Sequence, residues 1–337
     1  MTRFNAQSLL FALILLFSVI IGSSETDGFK APTVSPVIAT SLVAETLVNQ
    51  SAPPPAHVPV KSEATETKIE TPVPVEPKSR IIIYAQPEEI PPLTKPPQVQ
   101  AAAALVKEIG SYQNLFEKNI LRRWPIASLT KLMTAAVALE VLPPEGKITL
   151  TDSAIAVEGE AGNFGSGEIF TVSDLLKAAL LSSSNDAVFA IAQSYGFSEF
   201  LDRMRATAFN LGMVESTFFD PAGLSVLNQS TGRDLEKVVN HILKTQPIIF
   251  QISAEPSALI AELTLETPRT IFNINQFAGR PGFLGGKTGY IDEASGNLIS
   301  LWRIGSREFL IIVLGSSDRF GETELLLSWL KSNLTND

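Results

Sequence analysis

The chain has 337 residues, enough for one large or two modest domains. Charged residues make up only 18% and the net charge is −9, so there is no basic footprint for phosphates and nucleic acid is excluded as a partner. With no cysteine and only two histidines, His57 and His241, disulfides, zinc–thiolate sites and a cysteine nucleophile are excluded, and a Ser-His-Asp triad or histidine-built metal site would have to use one of those two.

Residues 1–23 carry one basic residue, Arg3, and then an apolar core from Leu9 to Ile21. That is the layout of a secretory signal or an uncleaved signal anchor. Phe4–Gly22 is long enough to cross a bilayer with little tilt, and Ile21-Gly22-Ser23 is a poor cleavage site, so the expectation is a membrane anchor. Either way the rest of the chain is expected to be extracytoplasmic, anchored by this segment or secreted if it is cleaved. Residues 24–98 are rich in Pro, Ala, Val, Thr and Glu, as in Ala52-Pro53-Pro54-Pro55 and Thr71-Pro72-Val73-Pro74. Such a composition favours extended backbone without a packed core, a passive tether. His57 falls in it and is set aside for catalysis, and Ile81-Ile82-Ile83-Tyr84 is a lone apolar island.

The folded domain is expected over 99–337. Ala101–Val106 and Asn114–Lys118 read as strands joined by a turn at Gly110-Ser111. Pro125 stands where a helix can begin, and the run to Leu139 is apolar on nearly every face, which predicts a buried central helix. From Pro143 to Ala261 the pattern is mainly helical. Thr171-Val172-Ser173-Asp174 resembles a capping box; Phe200, Leu201, Met204, Ala208 and Leu211 keep helical spacing up to Gly212. Thr231-Gly232-Arg233-Asp234 opens a further helix with Leu235, Val238, Val239 and Ile242 inward and His241 on its flank, a surface histidine with no carboxylate beside it to orient an imidazole. Phe283–Tyr290, Asn297–Ile304 and Glu308–Leu314 are strands, the last two joined by a hairpin turn at Gly305-Ser306, and an amphipathic helix, Glu322–Leu334, with Leu325, Leu326, Trp329, Leu330 and Leu334 as its apolar residues, closes the chain. Two strands, a helical region, three strands and a helix predict an α+β fold. It is an antiparallel five-stranded sheet flanked by helices, with an inserted helical subdomain as one wall of a cleft.

Into the apolar central helix the sequence places Ser128 and, three residues on, Lys131. The spacing puts both on one face. A serine at a helix start lies where free N–H groups favour negative charge, and a buried lysine is costly when charged, so it can act as a base. Taken alone, the pair is better explained as a helix cap and a snorkelling lysine. A second copy, Ser328-Trp329-Leu330-Lys331, has nothing downstream to complete a site and reads as chance. The first copy is followed by Ser183-Ser184-Asn185 on a turn between two helices, and by Lys287-Thr288-Gly289 on the first of the three later strands; Ser295-Gly296-Asn297 is a chance copy of the second motif. The three motifs in this order, each on this kind of element, are specific together.

At these residues the chain resembles the penicillin-recognising serine enzymes, whose fold is β-lactamase/transpeptidase-like, and most closely the D-alanyl-D-alanine carboxypeptidases of the low-molecular-mass penicillin-binding proteins. The resemblance runs through Ala127-Ser128-Leu129-Thr130-Lys131, Ser183-Ser184-Asn185-Asp186, Gly286-Lys287-Thr288-Gly289-Tyr290, and more weakly through Ser216–Leu224 and Ser230–Asp234. It covers about residues 100 to 335. It implies Ser128 as nucleophile on the bond between two terminal D-alanines, Lys131 as its base, and Ser183 as proton relay to the leaving D-alanine. Asn185 would orient Lys131 and substrate, Lys287 would supply positive charge, and Thr288 would bind the terminal carboxylate. Gly289 lets the substrate backbone approach, and Tyr290 and Ser128 would give the backbone N–H groups of an oxyanion hole. The implied partners are peptidoglycan stem peptides and β-lactams as acylating inhibitors, with no metal and no cofactor. Arg319 stands outside this core set. Glu215-Ser216-Thr217-Phe218-Phe219 lacks the asparagine expected beside a deacylating glutamate, so penicillin should be released slowly rather than destroyed. The expected departures from some relatives are the lack of a further C-terminal β domain and of a C-terminal membrane helix, replaced by the N-terminal anchor. The rival expectations are a DD-endopeptidase that cuts cross-links and a β-lactam-sensing or wall-binding module without turnover.

Overall fold

In the computed structural model, which describes residues 94–159 and 161–334, the chain runs β1 (Ala103–Glu108), β2 (Asn114–Lys118), β3 (Trp124–Pro125) and a 3₁₀ turn (Ala127–Leu129) into α1 (Thr130–Val141). Then come β4 (Lys147–Thr149), α2 (Asp152–Ile155), β5 (Ile169–Thr171), α3 (Val172–Leu181), α4 (Asn185–Tyr195) and α5 (Phe197–Asn210). They are followed by β6 (Gln229–Ser230), α6 (Gly232–Thr245), α7 (Ile248–Ala254), β7 (Ser257–Glu262) and β8 (Thr267–Phe272). The last elements are β9 (Phe283–Ile291), β10 (Ser295–Ile304), β11 (Arg307–Ser316) and α8 (Arg319–Leu334). The expected anchor (1–23) and almost all of the expected tether (24–98) lie outside the described residues. Among the described residues no helix is long and apolar enough to cross a membrane.

The five-stranded sheet is antiparallel with order β2-β1-β11-β10-β9, which joins the two early strands to the three late ones. The strands β10 and β11 are apolar almost without alternation because both faces of the sheet are covered. Ala103, Leu105, Ile299, Leu301, Leu310, Ile312 and Leu314 face the helical region; Ala104, Val106, Leu298, Trp302, Phe309, Ile311 and Val313 face α8. Gly305, at φ +60°, makes the tight hairpin between β10 and β11. At the far edge lies β9, hydrogen-bonded in the sheet to β10 alone and with its other side toward the 3₁₀ turn.

The five-stranded sheet and the helical insertion agree with the sequence reading; four local expectations are corrected. Pro125 is not the first helical residue. It pairs with Gln229 in a short strand ladder, and the chain reaches α1 only after Ala127, held at φ +47°, has broken the helical path. Two small antiparallel pairs alter the stretch read as helical: β4–β5 interrupts it and β7 of the β7–β8 pair replaces its last residues; each is too short or too exposed on one side to leave a clear period of two. The first strand begins at Ala103, because the Ala101 N–H is taken by the Glu322 carboxylate rather than by a ladder. In α8, Leu325 faces out at 45% exposure and Leu327 is buried in its place.

Candidate active site

Ser128 lies in the 3₁₀ turn, half-buried, with α1 beginning two residues later. The turn is wedged between two glycines. A Cβ on Gly223, at φ +85°, would stand 1.9 Å from the Ala127 carbonyl oxygen. A Cβ on Gly289 would stand 2.8 Å from the Ile126 oxygen and 3.2 Å from the Ser128 nitrogen. Only hydrogen at both positions lets the loop after α5 and the edge strand β9 close on the serine.

Lys131 is fully buried on the first turn of α1. Its Nζ donates to Ser128 Oγ at 2.8 Å, to Asn185 Oδ1 at 2.7 Å and to the Ala222 carbonyl at 2.9 Å. Burial lowers its pKa from 10.5 to about 7, against the opposing pull of the Asp220 carboxylate. The amine is thus poised to hold or yield a proton near neutral pH, in contact with one hydroxyl.

Ser183 sits between α3 and α4 at φ +62°, an uncommon conformation for serine. It does not cap α4: that N-cap is Ser184, whose hydroxyl accepts the Ala187 N–H at 3.2 Å. Ser183 Oγ instead accepts from Lys287 Nζ at 2.9 Å. Asn185 is fixed by donating from Nδ2 to the Glu158 carbonyl at 2.6 Å. Lys287, on β9, is buried and also donates to the Thr288 carbonyl at 2.9 Å. Burial, with the charges of Lys131 and Arg319, holds its pKa well below that of an ordinary lysine. Thr288 is buried on the same strand; Tyr290 is 59% exposed, its hydroxyl donating to Asp292 Oδ1 at 3.1 Å.

The structure therefore joins Ser128, Lys131 and Asn185 in one set of hydrogen bonds and Ser183 and Lys287 in a second, linked through the Ser183-Ser184-Asn185 turn, with the two amines near enough to repel and Gly289 against the serine. The other copies stay apart. Ser328 and Lys331 are exposed on α8, with the lysine over the Trp302 ring at 5.8 Å. Asn297 ties sheet strands together, donating to the Pro125 carbonyl at 2.9 Å and accepting from Gly315 N at 2.9 Å. His241 contacts Thr245 on its own helix. Arg319, left outside the core set from sequence, is half-buried with Nε unpaired, and no carboxylate of the described residues forms an ion pair with it. Sequence reasoning gave no role to Asp220, Asn228 or the Ala222 carbonyl; the available signal was the turn Asp220-Pro221-Ala222-Gly223.

The family model described as D-alanyl-D-alanine carboxypeptidase (peptidase family S11) matches residues 91–318. A D-alanyl-D-alanine endopeptidase of Escherichia coli (strain K12) is 29% identical over 245 residues, covering 70% of this chain and 79% of that protein. D-alanyl-D-alanine carboxypeptidase DacF of Bacillus subtilis (strain 168) is 30% identical over 228 residues, 65% of this chain and 58% of the relative. Among solved structures, the D-alanyl-D-alanine carboxypeptidase of Mycobacterium tuberculosis H37Rv superposes with a TM-score of 0.66 at 26% identity, over 71% of this chain and 94% of that one. With the serine, both lysines and the edge strand gathered at one crevice of an S11-like fold, the chain belongs to the D-alanyl-D-alanine carboxypeptidase family of serine peptidases.

Proposed function

We propose that this chain removes the terminal D-alanine from peptidoglycan stem peptides through an acyl-enzyme on Ser128. The observation that carries the reading is the contact of Ser128 Oγ with the buried amine of Lys131, whose pKa is lowered to about 7. Neutral Lys131 takes the hydroxyl proton as Oγ attacks the carbonyl carbon between the two D-alanines. The oxyanion meets the backbone N–H groups of Ser128 and Tyr290, an assignment supported by how closely Gly289 approaches the Ser128 nitrogen. As the C–N bond breaks, Ser183 relays to the departing amine the proton that Lys131 took, which leaves Lys131 neutral again, and Lys287 holds the Ser183 hydroxyl in place. The terminal carboxylate is drawn by Lys287 and Thr288, and Arg319 adds positive charge nearby. Water then attacks the ester, Lys131 again taking the proton, which frees Ser128. The unpaired edge of β9 suits an extended peptide laid beside it. β-Lactams are acylating inhibitors on the same reading.

The test is labelling by fluorescent penicillin. Label is expected on the wild type and on Ser328→Ala and none on Ser128→Ala; label on Ser128→Ala would overturn the assignment. A second reading, a DD-endopeptidase, is favoured by the Escherichia coli relative bearing that name. Mass analysis of digested muropeptides separates the two: loss of one alanine against splitting of cross-linked dimers. Acylation without turnover of a diacyl peptide would point to a sensing module instead. We place the enzyme outside the cytoplasm, held to the membrane by residues 1–23 and a tether of 24–98, on the strength of Arg3 and the apolar run Leu9–Ile21. Recovery in the soluble cytoplasmic fraction would refute that placement.

A further inference from the structure

The loop between α5 and α6 carries a carboxylate to which the reaction scheme gives no task. Asp220 Oδ1 accepts the N–H groups of Ala222 at 2.8 Å, Gly223 at 2.6 Å and Leu224 at 3.1 Å; Oδ2 accepts that of Ser225 at 2.8 Å. Asn228 closes the loop from its other end. Its Oδ1 accepts from Phe219 N at 2.8 Å and Asp220 N at 3.3 Å, and its Nδ2 donates to the Asp220 carbonyl at 2.8 Å and to Thr130 Oγ1 at 3.2 Å. Thr134 Oγ1 donates to the Pro221 carbonyl at 2.5 Å. The loop is thus fastened to α1 at Thr130 and Thr134, on either side of Lys131. Its result is placement: the Ala222 carbonyl reaches Lys131 Nζ at 2.9 Å.

Among the described residues the charges facing Lys131 are few. From β9 comes Lys287, and from this loop Asp220. The turn between α3 and α4 presents neutral Ser183 and Asn185, with buried Asp186 next along α4. Along α1 itself the next charged residue is Glu140, which pairs with Arg203.

We propose that Asp220 is a positioning residue for the base. Its carboxylate folds the turn that sets the Ala222 carbonyl against Lys131 Nζ, and its negative charge is the counter-charge of that buried amine. The proposal rests on the carboxypeptidase reading, in which Lys131 must be neutral to accept the Ser128 proton. A carboxylate nearby favours the protonated amine, so removing its charge lets Lys131 lose its proton at lower pH. Asp220→Asn keeps one oxygen for the turn and removes the charge; Asp220→Glu keeps the charge and displaces it.

The experiment measures the rate of acylation of the full chain by a fluorescent penicillin between about pH 5 and 9, with circular dichroism on each variant. In Asp220→Asn the acidic limb is expected at lower pH. A displacement of about half a unit makes the rate relative to plateau roughly threefold higher than wild type on the acid side. In Asp220→Glu the limb should return toward the wild-type position, while the displaced turn lowers the plateau below that of wild type. A limb unmoved in Asp220→Asn, or moved downward equally in both variants, would overturn the proposal. So would loss of the native spectrum in both, which would assign the carboxylate to loop stability alone. A wild type that takes no label at all would instead refute the carboxypeptidase reading, so the two failures are distinguishable.

Discussion

Lys131 has three hydrogen-bond acceptors around its amine, no exposure to water and, among the described residues, no carboxylate in direct contact. Desolvation is the main cause of its lowered pKa, so the protonation that matters for acylation changes near neutral pH rather than near 10. The sign follows: the neutral amine is the base, so acylation should rise with pH through about 7 and level off above it, as read by penicillin labelling across pH. Lys131→Ala should lower the acylation rate by a factor of about 10² to 10⁴ with the circular dichroism spectrum unchanged. Stability runs the same way with pH. The folded state holds fewer protons on Lys131 than the unfolded chain does between about 7 and 10.5, so this group makes the protein more stable as pH rises across that window. Of the residues that build this environment, Ser128 and Lys131 were legible because helix geometry fixes their spacing, and Asn185 because it completes the Ser183-Ser184-Asn185 motif. Asp220 left only a turn signal, Asp220-Pro221-Ala222-Gly223, since it acts through backbone N–H groups of its own turn.

At the level of elements, the junction between α3 and α4 separates two serines that the sequence presents side by side. Ser184 satisfies a free N–H at the start of α4, whereas Ser183 is turned into a left-handed conformation and faces Lys287. Ser184→Ala should therefore cost about 1 kcal/mol of stability in a denaturant melt and leave the rate of turnover within a few-fold of wild type. Ser183→Ala should do the reverse, with a melt close to wild type and a loss of turnover of tenfold or more on a diacyl peptide. The motif was visible in sequence and the resemblance gave Ser183 its role, but that Ser184 caps α4 was not visible, because either serine can cap a helix. The same holds for Pro125. Its fitness for a first helical turn was real, yet its backbone is recruited into the ladder with Gln229, and tertiary pairing overrides the local preference. Gly289 is the counterpart on β9. Gly289→Ala should push the strand off the serine and slow acylation, at about 1–3 kcal/mol in stability.

The folded domain is a sheet with two unlike faces, and the strip that enters it before β1 belongs to the back one. Thr94 N donates to Asn333 Oδ1 at 2.7 Å, and Trp329 Nε1 donates to the Thr94 carbonyl at 3.0 Å. Further on, Val99 is buried against the aromatic layer under α8, its carbonyl accepts from Lys118 Nζ at 2.7 Å, and the N–H groups of Gln100 and Ala101 end on the Glu322 carboxylate. Composition set the start of the domain at Val99 because the prolines Pro96 and Pro97 read as tether. Physically, proline-rich backbone lies as readily along a helix as free in water, and only the helix's own partners decide. The domain is thereby expected to take in residues from Thr94, while its active site opens on the opposite face, between the sheet and the helical insertion. A chain beginning at Thr94 should fold, melt as a single transition and take penicillin label at the rate of the full chain. One beginning at Ala103 strips Val99 from the back layer and leaves Glu322 without its N–H partners. It should lose several kcal/mol, because buried apolar surface and charge-assisted hydrogen bonds go together. The comparison of melts decides it: equal midpoints for the two chains would return the strip to the tether, and a lower midpoint for the shorter one makes it the last layer of the enzyme.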